Sequence, residues 1–321
     1  MKLLKTLSAV AAFLAAPAFA DDMPTIRAAV LKIGTVNWEL ATITGNGFDE
    51  KHGFKLDVQP FADNGATRVA VEGDEADMAV ADWIWVARQR AAGKDYVFIP
   101  YSRAVGSVVV PKDSPAQSLK DLAGGKVGIA GGPLDKSWLI LQAYAAQEYG
   151  IDLKGETEQV YGAPPLIFKS ALGGDYAGAI NFWHFLAKMK AAGMRELISV
   201  ETAGAALGLD TNTPLLGYFV KESFLAENPD IAQAFFDASR DAKDLLASSD
   251  AAWEAIRPRM NAKSDAQFNQ LKSDWIAGIP ARAPVDEAAA GKMLSLMAEI
   301  GGADLVGEAT SLPAGLFADV K

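Results

Sequence analysis

Between Thr25 and Gly193 short β-branched runs alternate with longer stretches of helical apolar spacing, and after Val220 only the helical spacing remains. Such an alternation buries its strands as parallel sheets covered by helices. The expected strands are Ile26–Ile33, Phe54–Pro60, Met78–Val80, Tyr96–Pro100, Lys126–Ala130 and Ala177–Ile180. Helices such as Trp83–Ala92, stopped by Gly93, and Ser137–Tyr149, stopped by Gly150, fall between them. Two apolar runs, Val105–Val110 and Leu215–Val220, break this rhythm. They read as an outgoing and a returning crossing between two lobes, and are expected side by side at the base of a cleft. Beyond them, Phe224–Leu246, Ala252–Met260, Asp265–Ile276 and Val285–Ile300 carry apolar residues at helical spacing. The expected class is α/β with a helical C-terminal region.

The first residues bear on where the chain works. Lys2 and Lys5, an apolar run from Leu7 to Ala16, and Ala18-Phe19-Ala20 before Asp21-Asp22 have the layout of a secretory signal peptide over residues 1–20. A run of roughly ten apolar residues is too short to span a bilayer, and no later run reaches the roughly eighteen that would. Cysteine is absent, so neither a lipid-bearing thioether nor a disulfide framework is available. A soluble, non-lipidated periplasmic protein is expected. With a formal net charge of −10 the chain repels phosphate backbones, so nucleic acid is excluded as a partner, and self-repulsion favours a monomer.

In open α/β sheets, ligands sit at the carboxyl ends of strands, beside the following helix N-termini. Four turns meet that condition: Thr35-Val36-Asn37-Trp38-Glu39, Asp82-Trp83-Ile84-Trp85, Gly131-Gly132-Pro133-Leu134-Asp135-Lys136-Ser137-Trp138 and Asn181-Phe182-Trp183-His184. Five of the seven tryptophans lie in them. Tryptophan offers a flat apolar face and one donor, which suits aromatic or cationic ligands, so Trp38, Trp83 and Trp183 are expected to form a cage with Asp82 accepting a donor. Asp82 is equally suited to cap its helix. Gly131-Gly132-Pro133 opens a helix whose free N–H groups can receive an anion, although the same tripeptide is also a plain turn. Glu39, Asp63, Asp82 and Asp135 are expected on cleft-side turns, with Arg68, Arg103 and Lys136 nearby, a balance that favours a neutral or zwitterionic solute over an inorganic anion. The candidate ligand-binding residues are thus Asn37, Trp38, Glu39, Asp82, Trp83, Arg103, Gly132, Pro133, Asp135, Trp183 and His184.

Catalysis finds little support in the residues. The only histidines are His52, placed as a helix C-terminal residue, and His184; no metal-ligand cluster and no nucleophile motif is present in the sequence. No catalytic residue, metal or cofactor is expected.

Several phrases in order, Ala79-Val80-Ala81-Asp82, Lys112-Asp113-Ser114-Pro115 through Lys126-Val127, Ala171-Leu172-Gly173-Gly174-Asp175 and Phe224-Leu225-Ala226-Glu227-Asn228-Pro229, carry a family pattern. The chain resembles the solute-binding proteins of ABC importers in the nitrate, sulfonate, taurine and thiamine-pyrimidine-precursor group. That resemblance implies a two-lobed, type II periplasmic binding fold, with residues 23–104 and 217–321 forming one lobe and 105–216 the other. It also implies a small solute held between the lobes and delivered to an ABC permease and ATPase complex by hinge closure. In the family a Gly/Ser-rich helix start receives an anionic group; here Pro133-Leu134-Asp135 replaces the hydroxyl-rich turn, and Ala177-Gly178 replaces the usual Asp-Ala before Trp183. An aminopyrimidine-like solute matches the aromatic and carboxylate content best, with taurine as the alternative. A ligand-sensing module that docks on a membrane kinase would share the fold. So would a pyrimidine-precursor synthase, whose cysteine-rich motif this chain lacks.

Overall fold

The computed structural model describes residues 23–321, and the expected signal peptide over 1–20 lies outside the described residues. Two five-stranded sheets organise the chain. The first contains β1 (Thr25–Leu31), β2 (Lys55–Phe61), β3 (Met78–Asp82) and β4 (Tyr96–Ser102). The second contains β5 (Ser107–Val110), β6 (Lys126–Ala130), β7 (Glu158–Gly162), β8 (Gly178–Ile180) and β9 (Arg195–Ser199). The last strand, β10 (Leu216–Lys221), returns to the first sheet, giving the orders β2-β1-β3-β10-β4 and β7-β6-β8-β5-β9.

Neither sheet is wholly parallel, which corrects the expectation drawn from the strand–helix rhythm. β1 runs parallel to β2 and β3, but β10 lies antiparallel between β3 and β4, with Tyr218 opposite Val80 and Ile99. In the second sheet β5 is antiparallel to both β8 and β9. The two crossing segments therefore feed different sheets and do not pair with each other, contrary to the side-by-side arrangement expected. Each enters its sheet from the opposite half, so it arrives at the end where the parallel strands finish and must run back against them. Gly217 is required at this insertion: the Phe98 ring lies 2.2 Å from where its Cβ would stand.

Helices cover the sheets. In chain order these are α1 (Val36–Gly45), α2 (Phe48–Lys51), α3 (Asn64–Glu72), α4 (Trp83–Ala91), α5 (Lys136–Tyr149), α6 (Pro164–Leu172), α7 (Trp183–Ala191) and α8 (Val200–Ala206). After β10 come α9 (Glu222–Glu227), α10 (Ile231–Ser248), α11 (Asp250–Ile256), α12 (Asp265–Ala277) and α13 (Glu287–Val306). The helical run over Phe224–Leu246 is divided at Asn228-Pro229, where a helix start was expected, because proline removes a donor and turns the preceding residue away from the helical region. α10 packs on α1, α12 on α7, and α13 against α4 and α5, so the C-terminal helices touch both halves. β4 is an edge strand, and the chain end covers it: Phe98 donates its N–H to the Leu316 carbonyl and accepts from the Ala318 N–H.

One buried polar network ties the first sheet to α1 and α10. The Glu39 carboxylate on α1 is fully buried and accepts from the Tyr218 hydroxyl at 3.0 Å, the Ser239 hydroxyl at 2.8 Å and the Lys243 ammonium. Lys243 lies 5.0 Å from the Tyr101 ring centroid, and burial lowers its pKa while Glu39 pulls it back up. Burial raises the Tyr218 hydroxyl far above its ordinary range. Removing one partner leaves an uncompensated charge in the core. Glu39→Ala should destabilise the protein by about 3–5 kcal/mol in urea unfolding, and the Glu39→Met, Lys243→Met double variant should recover most of that loss.

Candidate functional site

Between the two sheets lies a cavity of about 390 Å³, a size that admits a small solute and excludes a macromolecule. Its walls come from strand ends and the turns that follow them. The first sheet contributes Ala29–Leu31, Thr35, Val80–Asp82 and Tyr101, with Asn64, Thr67 and Arg68 from α3. The second contributes Gly131, Leu134–Ser137 and Asn181–His184, and the crossing segments add Ala104–Gly106 and Leu215-Leu216. Both halves contribute to the walls.

Of the candidate residues, Asp82, Asp135, Trp183 and His184 line this cavity. The others lie elsewhere. Asn37 turns its amide onto the Leu31 and Gly34 carbonyls at 2.8 Å each and so braces the turn before α1. Glu39 is committed to the buried network described above. Gly132 and Pro133 are beside the cavity lining but not in it. Arg103 donates to the carbonyls of Thr211 at 3.1 Å and Ala277 at 3.0 Å, so its guanidinium ties chain segments together and does not face the cavity.

The tryptophan cage also needs correction. Trp83 is fully buried in the core, where its ring meets Phe317 edge-on at 5.9 Å. Trp38 is buried edge-on against Trp183 at 5.7 Å and Trp253 at 6.2 Å, and Trp253 meets Trp275 at 5.3 Å. These four rings, drawn from α1, α7, α11 and α12, form an apolar wedge between the halves. Only Trp183 presents part of its surface to the cavity.

The carboxylates of the strand–helix turns act first as helix caps, Asp63 from outside the cavity lining. Asp63, Asp82 and Asp135 accept the N–H groups of Ala66, Trp85 and Trp138, at 2.9, 2.9 and 3.0 Å. The second oxygen of Asp82 accepts from Lys136 at 2.9 Å, an ion pair that spans the cleft from the first sheet to α5. Burial pushes the Asp135 carboxyl up to about 6, against the pull of the Trp138 N–H and Lys136. Burial, with Lys188 nearby, lowers His184 to about 4, so its imidazole is neutral at pH 7.

Arg68, a cleft-side cation outside the expected contacts, lines the cavity. Its guanidinium lies 4.1 Å from the Trp85 ring centroid, and its Nε is buried without a hydrogen-bond partner. Burial lowers its pKa, partly offset by Asp82. Among the described residues no carboxylate pairs with it. Tyr101 was missed as well, since the strand was expected to stop at Pro100; in the structure β4 continues to Ser102, and proline is tolerated because this is an edge strand.

Two mixed sheets facing one cleft, flanked by helices and joined by two crossing segments, constitute the periplasmic binding protein fold. The chain belongs to the NMT1/THI5-like family, whose model matches residues 43–251. The fold is similar to that of the periplasmic aliphatic sulphonate binding protein SsuA from Escherichia coli, at 18% identity over 88% of each chain and a TM-score of 0.71. It is also similar to the alkanesulfonate-binding protein SsuA from Xanthomonas axonopodis pv. citri bound to MOPS, at 16% identity over 94% of this chain and 100% of that one, with a TM-score of 0.68. A Candida albicans protein described as having the generic periplasmic binding protein fold matches at 13% identity, 92% and 96% coverage and a TM-score of 0.61. Among curated proteins none matches the sequence. Among the described residues no helix is long and apolar enough to cross a membrane.

The capping role of Asp135 yields a pH prediction. In the unfolded chain this carboxyl ionises near about 4, and in the folded chain only near about 6, so stability falls as pH rises through that interval. Asparagine also caps helices but does not titrate. The stability of Asp135→Asn relative to the native chain should therefore rise between about pH 4 and about pH 6 and level off above, as read by thermal unfolding across a pH series.

Proposed function

We propose that this protein is the periplasmic substrate-binding component of an ABC importer, which captures a small polar organic solute between two hinged lobes and delivers it to the permease. The observation that carries this reading is the cavity itself: strand ends from both sheets contribute to its walls, so a ligand gains its full set of contacts only when both halves are in place. Ligand binding then shifts the population toward the shut form by the difference in affinity between the two forms. The lobes of this reading are residues 23–104 with 217–321, and residues 105–216.

The structural neighbours include sulphonate and alkanesulfonate binders, which supports a polar organic ligand in the same place. Against a synthase of the same fold stands the lack of its cysteine-rich motif, since the sequence contains no cysteine.

A thermal-shift panel of an aminopyrimidine, taurine, ethanesulfonate and nitrate, run beside a small-molecule extract of the producing cells, tests this function. An organic component should stabilise the protein by about 2.7 kcal/mol when present at a hundredfold excess over its Kd, while nitrate should not. X-ray scattering should show a decrease in radius of gyration with the same compound. No stabilisation by the panel or the extract would overturn the proposal. Trp183→Ala should weaken the responding compound's binding by roughly ten- to a hundredfold in calorimetry. Trp83→Ala should mainly lower stability, by about 3–5 kcal/mol.

A further inference from the structure

The cavity's charges are not spread evenly, and their separation gives a ligand a direction. Four charged side chains line it: Arg68 and Asp82 on the first half, Asp135 and Lys136 on the second. Asp82 and Lys136 satisfy each other across the cleft. That leaves a guanidinium on one wall and a carboxylate on the other.

The family pattern places an anionic group at the helix start near residues 131–136. In this chain that position is already occupied. The Asp135 carboxylate caps the N-terminus of α5 through the Trp138 N–H, so a ligand acid brought there would meet a like charge where it should find free donors. The N-termini of α1 and α7 also reach the cavity without a side-chain cap, but each offers only a partial charge.

Arg68 offers a full charge and a shaped receptor. One face of its guanidinium is covered by Trp85, and Asp82, the carboxylate nearest to hand, is held by Lys136 and the Trp85 N–H. Its Nε is buried and unpartnered, and its terminal nitrogens form no hydrogen bond or ion pair among the described residues, so the guanidinium at the cavity wall keeps donors for a ligand. Asn64 stands one turn earlier on the same helix, also lines the cavity, and can add an amide donor.

We infer that the solute carries an oxyacid group which docks on Arg68, with its donor-bearing end turned toward Asp135, the reverse of the polarity implied by the family's helix-start anion site. This rests on the reading of the cavity as a solute site. It explains how a cleft of balanced charge can still discriminate: an aminopyrimidine without an acid leaves Arg68 unpaired, and a simple alkanesulfonate leaves Asp135 facing an apolar group. An amino-bearing acid satisfies both.

The test is capture followed by calorimetry. The native protein is incubated with a small-molecule extract of the producing cells, washed, and its bound compounds are released and identified by mass spectrometry. The captured compound should contain a carboxylate, sulfonate or phosphonate. Its affinity should fall roughly 10- to 100-fold in Arg68→Gln and less in Arg68→Lys, with thermal unfolding of the unliganded variants checking that each is folded. Should Arg68→Gln fail to fold, Asn64→Ala, with an expected loss of roughly three- to tenfold, and a crystal structure of the native complex supply the same decision. A captured compound with no acid, an unchanged affinity in Arg68→Gln, or an acid group seated on residues 131–136 or 182–184 would overturn the inference and leave the solute-binding reading intact. Capture of nothing by the native protein would instead remove that reading, and the inference with it.

Discussion

The contact on which the rest of the molecule depends is the buried pair of Glu39 and Lys243. A buried ion pair adds little net stability, because desolvating two charges offsets most of their attraction, but it is demanding about geometry. Glu39 lies on α1, directly after the turn that lines the cavity, and Lys243 lies on α10, in the part of the chain that follows the return crossing. Tyr218 joins the same carboxylate from β10. Three segments far apart in sequence thus meet on one buried carboxylate, and a shift of any of them would leave a polar group in the core without its partner. The floor of the cleft inherits this order through Tyr101, whose ring sits against Lys243 and Tyr218 and whose hydroxyl accepts from the Trp275 indole.

Above that floor the strand–helix turns show how one residue type serves two ends. An aspartate placed first in a helix satisfies orphan N–H groups and puts a carboxylate beside the cavity at the same time. Asp82 and Asp135 do this on opposite halves. Their different partners then separate them, since Lys136 neutralises the first while burial alone acts most strongly on the second.

Much of this architecture is legible in the sequence, and the misses share physical causes. The β-branched interior strands stand within two residues or so of where they were expected, because burial on both faces demands continuous apolar runs. The two strands that were overlooked, β7 (Glu-Gln-Val-Tyr-Gly) and β9 (Arg-Glu-Leu-Ile-Ser), are the outer strands of the second sheet, where half-exposure permits polar residues. Tryptophans do gather at the strand–helix turns, but position along the chain does not say whether a ring faces the cleft or turns back toward the core. Packing against Phe317 from the chain end decides that for Trp83, and packing between α1, α7, α11 and α12 decides it for Trp38. The candidate site was legible as a set of turns and only partly as a set of side chains. Arg68 is a case in point: nothing in its local sequence distinguishes it, and its significance comes from the partner that Asp82 finds in Lys136, 54 positions away.

Arg103, expected in the site, does something else whose consequence is mechanical. Its backbone N–H binds the Gly278 carbonyl, and its guanidinium reaches the Thr211 carbonyl, on the approach to the return crossing, and the Ala277 carbonyl at the end of α12. The outgoing linker, the incoming linker and the helix packed on α7 are pinned to one planar group. Under the proposed hinge motion, bending at either linker must carry these hydrogen bonds along or break them, so a displacement of one linker is passed to the other and to the end of α12.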